Sequence, residues 1–553
     1  MAERAFQTEV GASPPAIRRA VLRLRRSVHR RMQEEVRAYT GGNSPALERY
    51  YREYMREFRR LHALASYGEL FQSLLETDLL FVGDYHTLRQ SQEVASRLLE
   101  RAAADERPLI LALEMILEEH QEHLDAYMHG EIGDEEFLER IEYRSTWNFN
   151  WENYRPLFDT ARQLQVRVVG INHPARGGRR RIRERDDRIA ESLVSIIQNE
   201  PQARLMVLIG DLHLASNHLP RALERHLDSI GLPRRRLIVF QNSDTLYWTL
   251  AERGDGEDTQ VVRLGPDRFC VMEVPPYVKL QSYLSWEQAV DRSEDPGERE
   301  EIVLEPPAGA SVLDTLVRQL SQFLDMPAAD AGCDLFTNLE EHFFELIENT
   351  AELDDARVHE IHLHAFANRS CFVPELNLVY LPYFSVNHAT EEAMHVLQWR
   401  HGARQSMTGD AYEDFYVRTM HHALGFFASK LVNPRRVPTT EEEFRTFQRS
   451  ASRRLHEPQL AFRKLVARFV VQHKDHEQAQ GDGPRGRLKQ IYEQDLDILL
   501  EITLSLGYML GDELAAALQD GTLGREQLRE LVLPEEHDSA AARYFRTLDL
   551  LRS

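Results

Sequence analysis

Short apolar runs alternate with longer amphipathic stretches over residues 76–291. A run that is apolar at nearly every position is typical of a strand covered on both faces, and most of the intervening stretches have helical spacing. This alternation predicts an α/β domain, with a mostly parallel sheet flanked by helices. The predicted strands are 79–82, 109–113, 166–171, 205–209 and 237–240, with closely spaced candidates at 260–264 and 269–274 for an antiparallel edge.

The patterns on either side of this domain are mainly helical. Residues 1–75 predict N-terminal helices, one of which is expected to begin at Ser44 and Pro45 because proline suits the first helical turn. Residues 16–31 carry arginines among apolar residues at helical spacing, which predicts an amphipathic helix docked on an acidic body. The parts predicted after residue 291 are a linker at 292–310, a mainly helical domain at 311–475 with a short strand pair at 358–363 and 376–381, a loop at 476–487 and a helical bundle at 488–553.

The composition indicates a globular protein with more than one folded domain. Of its 553 residues, 42% are hydrophobic and 9% aromatic, which is enough to form buried cores. The 89 acidic and 67 basic residues give a formal charge of −22, which argues against nucleic acid as a general partner. Cys270, Cys333 and Cys371 lie far apart, so no disulfide framework or thiolate zinc site is predicted. The sequence predicts no membrane span and no secretion signal, so a cytoplasmic location is expected, and a homo-oligomer stays open.

Chemically versatile side chains follow four of the predicted strands at the point where each strand ends. In parallel sheets the carboxyl ends of strands meet at one edge, where ligands bind, so residues far apart in sequence are expected to converge there. A Gly-Asp-x-His unit appears at two of these ends. The four strand ends carry Gly83-Asp84-Tyr85-His86, Glu114, Asn172-His173 and Gly210-Asp211-Leu212-His213.

Each part of the repeated unit has a physical reason to be there. Glycine allows a sharp turn off the strand, and aspartate can accept a hydrogen bond from an imidazole N–H, which leaves the other ring nitrogen for a ligand. His86, Glu114 and His213 together could hold a divalent metal ion or perform acid-base catalysis, so they are both the catalytic and the metal-ligand candidates. The alternative is that strand-end histidines only cap neighbouring backbone.

Residues 79–220 resemble the ChaN-like haem-binding proteins, which belong to a superfamily with the Tiki metalloproteases, the TraB-like proteins and the erythromycin esterases. The resemblance rests on short motifs covering a little over a quarter of the chain. They are LLFVGDYH, LILALEM, EEHQEHLDAY, the W-x3-W-x2-Y segment from Trp147 to Tyr154, VVGINHP and LMVLIGDLHLASNHLP.

The resemblance implies different chemistry in different branches. ChaN-like proteins are associated with haem and iron uptake, with tyrosine and histidine around the iron, whereas the Tiki branch uses two Gly-x-x-His motifs and a glutamate in metal-dependent hydrolysis. His86, Glu114 and His213 match the shared set. The chain departs from the bacterial ChaN pattern in lacking a lipoprotein signal and in having Asp84 where glutamate is usual. The cofactor-binding candidates implied for haem are Tyr85, Tyr127, Tyr154, His173 and His213.

A second group of candidates lies in the C-terminal half, where NHATEEAMHVLQ has a helical pattern. Glu391 and His395 are four residues apart, and Glu392 occupies the general-base position of a zinc-binding His-Glu-x-x-His helix whose first histidine is missing. This segment resembles a degenerate metalloprotease helix, and Glu413 could supply a downstream carboxylate as in the gluzincins. An inactive protease-like domain and a plain helix surface are both favoured over an altered metal site of Glu391, His395 and Glu413.

The sequence thus supports three functional hypotheses. The first is a haem- or metal-ion-binding protein in haem or iron handling, with haem or a small molecule as its partner. The second is a metal-dependent hydrolase that uses His86, Glu114 and His213. The third is a non-catalytic interaction protein in which both sites are relics.

Overall fold

The computed structural model describes residues 14–40, 45–173, 182–255, 259–293, 309–337, 341–403, 407–450, 458–478, 488–535 and 538–552. These residues form two compact units. The first lies within Val36–Pro296, and the second is drawn from Met1–Glu35 and Gly297–Ser553. The boundary at residue 35 falls inside the helix Pro14–Thr40. No helix in the described ranges is long and apolar enough to cross a membrane.

Within its described residues, the first unit has one eight-stranded sheet in the order β1-β7-β8-β6-β2-β5-β3-β4. Neighbours from β8 to β4 are parallel, and the pairs β1/β7 and β7/β8 are antiparallel. The mostly parallel sheet and its antiparallel edge are therefore confirmed. The strands are β1 (Ala63–Ala65), β2 (Leu79–Asp84), β3 (Leu109–Leu117), β4 (Arg167–Asn172), β5 (Arg204–Gly210), β6 (Arg236–Gln241), β7 (Val261–Gly265) and β8 (Arg268–Val271).

Helices cover both faces of this sheet, which explains the continuous apolar runs of its strands. Leu80 and Val82 of β2 belong to one hydrophobic core, and their neighbours Leu79 and Phe81 belong to the other. Successive residues of a strand point to opposite faces, so both faces of β2 must be apolar. The helices of this unit are Pro45–Met55, Tyr67–Leu75, Arg89–Ala102, Gln121–Met128, Asp134–Arg140, Tyr143–Thr146, Trp151–Gln163, Ile182–Asn199, Leu219–Ser229, Asp244–Arg253 and Pro276–Ser293.

The second unit is mainly helical with a small sheet, as the sequence predicts. Its strands are β9 (Asp334–Thr337), β10 (Cys371–Val373) and β11 (Leu378–Leu381), in the order β10-β11-β9. The first part of the helix Pro14–Thr40 belongs to this unit: Arg25 donates to the carbonyl of Leu431 at 2.7 Å. The other helices are Ala310–Phe323, Glu341–Asn349, Asp355–Phe366, Val386–Arg400, Ala411–Val432, Glu441–Ser450, Pro458–Gln478, Lys489–Tyr492, Leu496–Asp520, Arg525–Val532 and Ala540–Arg552.

The strand predicted at 358–363 is wrong, because these residues lie in the helix Asp355–Phe366. The Asp354 side chain caps this helix by accepting from the Arg357 N–H at 2.8 Å, and Ile361 and Ala365, one helical turn apart, are buried. The second predicted strand is confirmed only as β11.

Parts of three other predictions lie outside the described residues. These parts are Ser44, residues 294–308 of the predicted linker and residues 479–487 of the predicted loop. The helix expected at Ser44 and Pro45 has Pro45 as its first described residue. The start of the predicted loop, residues 476–478, belongs to the helix Pro458–Gln478.

Candidate functional site

His86 and His213 follow the carboxyl ends of β2 and β5, and Glu114 lies beside them within β3, directly after the last pair of β3 with β5 at Leu113. The strand predicted at 109–113 therefore continues past Glu114 to Leu117. One Glu114 oxygen accepts the Gly210 N–H at 2.6 Å, and the other lies 3.6 Å from Nε2 of His213. A Cβ atom added to Gly210 would lie 3.2 Å from Nε2 of His86 and 3.5 Å from Oε2 of Glu114. His86 and Glu114 thus both face Gly210, where a larger residue would crowd them.

His86 is held from behind by a buried carboxylate. Its Nδ1 lies 2.8 Å from Oδ2 of Asp84, which also accepts from the Tyr154 hydroxyl at 2.7 Å. The side chain of His86 is 24% exposed, and its ring contacts Trp147 and Phe149 at centroid distances of 4.5 and 4.8 Å. Burial lowers the pKa of His86, but the charge of Asp84 and its hydrogen bond raise it more, so the net pKa is raised. His86 is therefore a fixed, partly accessible imidazole with an aromatic wall.

The second Gly-Asp-x-His unit is built differently. Nδ1 of His213 lies 2.5 Å from Asp186, a residue of the helix Ile182–Asn199, and not against its neighbour Asp211. The Tyr50 hydroxyl donates to the other Asp186 oxygen at 2.8 Å. Asp186 and Tyr50 were missed by the sequence analysis because neither belongs to a strand-end motif.

Asp211 instead faces β2. Its Oδ1 is buried without a hydrogen-bond partner among the described residues, and a Cβ atom on Gly83 would lie 1.7 Å from it. Burial raises the pKa of Asp211 to about 7, although the charge of Lys279 opposes this shift. The two sequence repeats are therefore not equivalent in structure, since only Asp84 holds the histidine of its own unit.

Glu114 is an ionised carboxylate paired with a cation. Arg185 donates to its Oε1 at 2.5 Å and to Oδ1 of Asn172 at 3.1 Å. Burial raises the pKa of Glu114, but the charges of Arg185, His213 and His86 lower it by more, so the net pKa is lowered to about 2. Arg185 was also missed, because the sequence offers no signal for which of the many arginines faces the strand ends.

The tyrosine candidates for haem are held in other contacts. The Tyr154 hydroxyl is committed to Asp84, and the Tyr127 hydroxyl donates to Asp134 at 2.8 Å within an aromatic cluster of its own. The ring of Tyr85 lies 5.1 Å from the Lys279 ammonium. Burial raises the pKa of Tyr85 and Tyr127 to about 12 and that of Tyr154 well above its usual value, so all three stay protonated phenols.

His173 lies at the end of β4, beside the central group. Its Nε2 is 3.1 Å from Oγ of Ser192 and its Nδ1 is 3.6 Å from a Glu118 oxygen. The adjacent residue, Asn172, accepts from Arg185, which also binds Glu114. His173 itself contacts Ser192 and Glu118.

The C-terminal candidates do not converge as a single group. Nδ1 of His395 lies 3.0 Å from Glu392, whereas Glu391 is bound by Arg436 and by the Tyr508 hydroxyl, the latter at 2.8 Å. Glu413 accepts from Oγ of Ser539 at 2.7 Å, near the start of the helix Ala540–Arg552. Across the ranges that the structure describes, no three or more His, Cys, Asp or Glu side chains are placed to hold a metal ion.

A cavity of about 330 Å³ lies beside Glu391, Glu392 and His395. Two arginines of its lining, Arg357 and Arg418, both bind Glu360. The remaining histidines in its lining are His364, His388, His421 and His422. Burial lowers the pKa of all four, that of His364 to about 4, so the cavity holds a cluster of neutral imidazoles.

Comparison with known proteins finds a family model that matches part of the first unit. A solved structure of ChaN from Campylobacter jejuni, described as showing cofacial heme binding, is 15% identical, with 32% of this chain and 87% of that chain covered and a TM-score of 0.26. No curated protein matches the chain. Residues 70–184 match the family model described as "Haem-binding uptake, Tiki superfamily, ChaN". The resemblance to the ChaN-like proteins of the Tiki superfamily is thus confirmed over residues 70–184, a stretch that contains His86, Glu114 and Tyr154 and ends before His213.

Proposed function

We propose that the first unit binds haem where β2 and β5 end beside Glu114 of β3, in a role in haem or iron handling. The single observation that carries the proposal is His86, a partly exposed imidazole bound through Nδ1 to Asp84 and in contact with Trp147 and Phe149. Imidazole is a common axial ligand of haem iron, and aromatic rings suit the apolar face of a porphyrin. The family match of residues 70–184 supports the same ligand.

The side chains present fit haem through His86 better than through a tyrosine. A phenolate ligand requires a deprotonated hydroxyl, whereas Tyr154 and Tyr127 donate their hydroxyl protons to carboxylates. His86 would bind the group through Nε2, Asp84 would orient the ring, and Trp147 and Phe149 would exclude water. Bound haem would supply an iron centre whose reactivity these surroundings tune.

A bare divalent metal held by His86, Glu114 and His213 has weaker support. Both oxygens of Glu114 already have partners, the Gly210 N–H and the Arg185 guanidinium. A metal ion would have to displace this cation, whereas preformed metal sites present their ligands without a competing charge. The metal-dependent hydrolase is disfavoured for the same reason.

Titration of the purified full-length protein with haemin tests the proposal. We expect a saturable change in the Soret band at about one haem per chain, lost in His86→Ala and retained in the control His129→Ala, which removes an exposed histidine of the same unit. Elemental analysis of the same preparation measures bound metal. Three results would each contradict the proposal. They are a Soret band that does not saturate on titration, equal haemin binding by His86→Ala and His129→Ala, and stoichiometric zinc in the wild type that is lost in His86→Ala.

A further inference from the structure

Asp84 is fixed on both of its oxygens. Its Oδ2 is shared by Nδ1 of His86 at 2.8 Å and by the Tyr154 hydroxyl at 2.7 Å, and its Oδ1 accepts from the Gln92 amide. The carboxylate is only 4% exposed and Tyr154 is fully buried. A buried carboxylate with three donors cannot rotate without leaving one of them unsatisfied, so its orientation is set by the fold.

This arrangement determines which nitrogen of His86 carries the proton. A carboxylate only accepts hydrogen bonds, so a neutral imidazole facing Asp84 must place its proton on Nδ1 and leave the Nε2 lone pair free. Nε2 is the atom nearest to the position of a Cβ on Gly210, on the side of the ring that faces Glu114. The free lone pair therefore faces the strand-end site.

The second histidine shows that the arrangement is not a general consequence of the motif. Asp211 follows its glycine as Asp84 does, yet it contacts β2 instead of His213. Asp84 differs from Asp211 in having two further donors, Gln92 on Oδ1 and Tyr154 on Oδ2. Tyr154, from the helix Trp151–Gln163, donates to the same oxygen that contacts His86. Tyr154 therefore has a specific part in keeping Asp84 directed at His86.

We propose that Tyr154 and Asp84 are positioning residues that act in series to hold His86 with Nε2 available as a ligand. The proposal rests on the proposed function for the identity of the ligand, haem, but the hydrogen-bonded chain itself belongs to the ligand-free protein. It assigns Tyr154 a role through Asp84 and not on the iron. A carboxylate behind a ligating histidine also strengthens that histidine as a donor.

Two variants and a matched control test the role of the chain in haem binding. Asp84→Asn is expected to raise the Kd for haemin by about 10–100-fold, and Tyr154→Phe by about tenfold, because outer partners of a ligating histidine affect affinity on this scale. Tyr127→Phe removes the same hydroxyl and the same kind of carboxylate contact away from His86, and we expect no change. Thermal unfolding of each variant establishes that it is folded.

The absorption spectrum of the ferric complex separates a positioning role from direct ligation. If Tyr154 only positions Asp84, the charge-transfer bands of the Tyr154→Phe complex keep the wild-type ligand signature while affinity falls. A switch of ligand signature in Tyr154→Phe, or equal effects of Tyr154→Phe and Tyr127→Phe, would overturn the proposal.

Imidazole 15N chemical shifts in the haem-free full-length protein give a readout that does not depend on haem binding. We expect His86 to be protonated on Nδ1 in the wild type and in Tyr127→Phe, and to populate the other tautomer in Asp84→Asn and, in part, in Tyr154→Phe. If the wild type bound no haemin but kept this pattern, the proposed function would fail and the positioning chain would stand. A wild-type ring protonated on Nε2 would overturn the chain whatever the haem result.

Discussion

The close approach of neighbouring chain segments determines which residue types fit at the strand ends. Gly83 of β2 faces Oδ1 of Asp211, which leaves no room for a Cβ atom. The glycine of the first Gly-Asp-x-His motif is therefore needed for packing, and it lies inside β2 and not at the turn that the sequence suggests. Gly83 against Asp211 is thus one contact between the two Gly-Asp-x-His motifs, and Gly210 against His86 is another.

We expect Gly83→Ala to lower the free energy of unfolding of the first unit by about 1–3 kcal/mol, the usual cost of overpacking a buried site. Urea titration followed by tryptophan fluorescence measures this change, because four of the five tryptophans lie in the first unit. Gly133→Ala is the control, since nothing lies within 4 Å of its added Cβ atom. A Gly83→Ala protein as stable as this control would show that Asp211 moves aside freely.

At this scale the sequence predicted the histidines and glutamate of the site and one partner, Asp84 for His86, but not the partners of His213 and Glu114. Strand-end position is readable from apolar runs, and it brought His86, Glu114 and His213 together. Asp186 and Arg185 come from a helix face, and the periodicity of a helix does not specify which strand end that face will meet. The partner of a buried charge depends on tertiary packing, which local patterns do not record.

At the scale of elements, glycines control how closely two long helices of the second unit approach. A Cβ atom on Gly511 of the helix Leu496–Asp520 would lie 2.4 Å from the carbonyl oxygen of Ala423 in the helix Ala411–Val432. A Cβ atom on Gly507 would lie 2.6 Å from the carbonyl oxygen of Thr419. Backbone atoms cannot move aside as a side chain does, so these helices contact each other backbone to backbone.

Gly511→Ala should therefore destabilise the second unit by about 1–3 kcal/mol, although alanine favours an isolated helix by about 1 kcal/mol over glycine. Scanning calorimetry of the full chain measures the loss. In the helix Tyr67–Leu75 of the first unit, Gly68→Ala meets only Oγ of Ser66, at 3.6 Å, and should be neutral or stabilising. If both variants were stabilised, helix propensity would outweigh the close contact.

The histidine cluster of the second unit makes a prediction about acid stability. Burial holds the pKa of His364 at about 4 and lowers that of His421 and His422, whereas an unfolded histidine titrates near its ordinary value of 6.5. The unfolded state therefore takes up protons first as pH falls. Stability from these groups is complete above pH 6.5 and is lost as pH falls from 6.5 towards 4, by up to about 1.4 kcal/mol per pH unit for each histidine.

The melting temperature at pH 7 and pH 5 checks this sign. We expect the wild type to lose more stability between the two values than His364→Gln, which lacks one of the titrating rings. His129→Gln, with an exposed ring in the first unit, should behave as the wild type. Equal pH dependence in His364→Gln and wild type would show that the cluster does not titrate on unfolding.

The strand predicted at 358–363 shows where element prediction failed. Ile361 and Leu363 alternate with histidines in IHLH and satisfy a strand pattern, but Ile361 and Ala365 also satisfy a helical one. The capping contact of Asp354 and the packing of Ile361 and Ala365 in a hydrophobic core favour the helix. The longer, uniformly apolar strands of the first unit left no such ambiguity.

At the scale of the whole molecule, the second unit is assembled from two distant parts of the chain. Ile17, Leu24 and Val28 of the helix Pro14–Thr40 are buried, and Arg31 donates to Oγ of Ser311 at 2.7 Å. The pattern of arginines and apolar residues predicted an amphipathic helix, and in the structure its first part packs in the second unit. Periodicity can reveal that a helix has a buried face, but it does not identify the segment that covers it.

This discontinuity has a consequence for synthesis on the ribosome, which makes chains from the N-terminus at about 5–20 residues per second. The apolar face of residues 14–35 is made well before Leu431, whose carbonyl accepts from Arg25 and which follows about 400 residues later. For some tens of seconds the nascent chain therefore carries an uncovered amphipathic helix ahead of a complete α/β unit. During that interval the exposed apolar face is a binding site for chaperones.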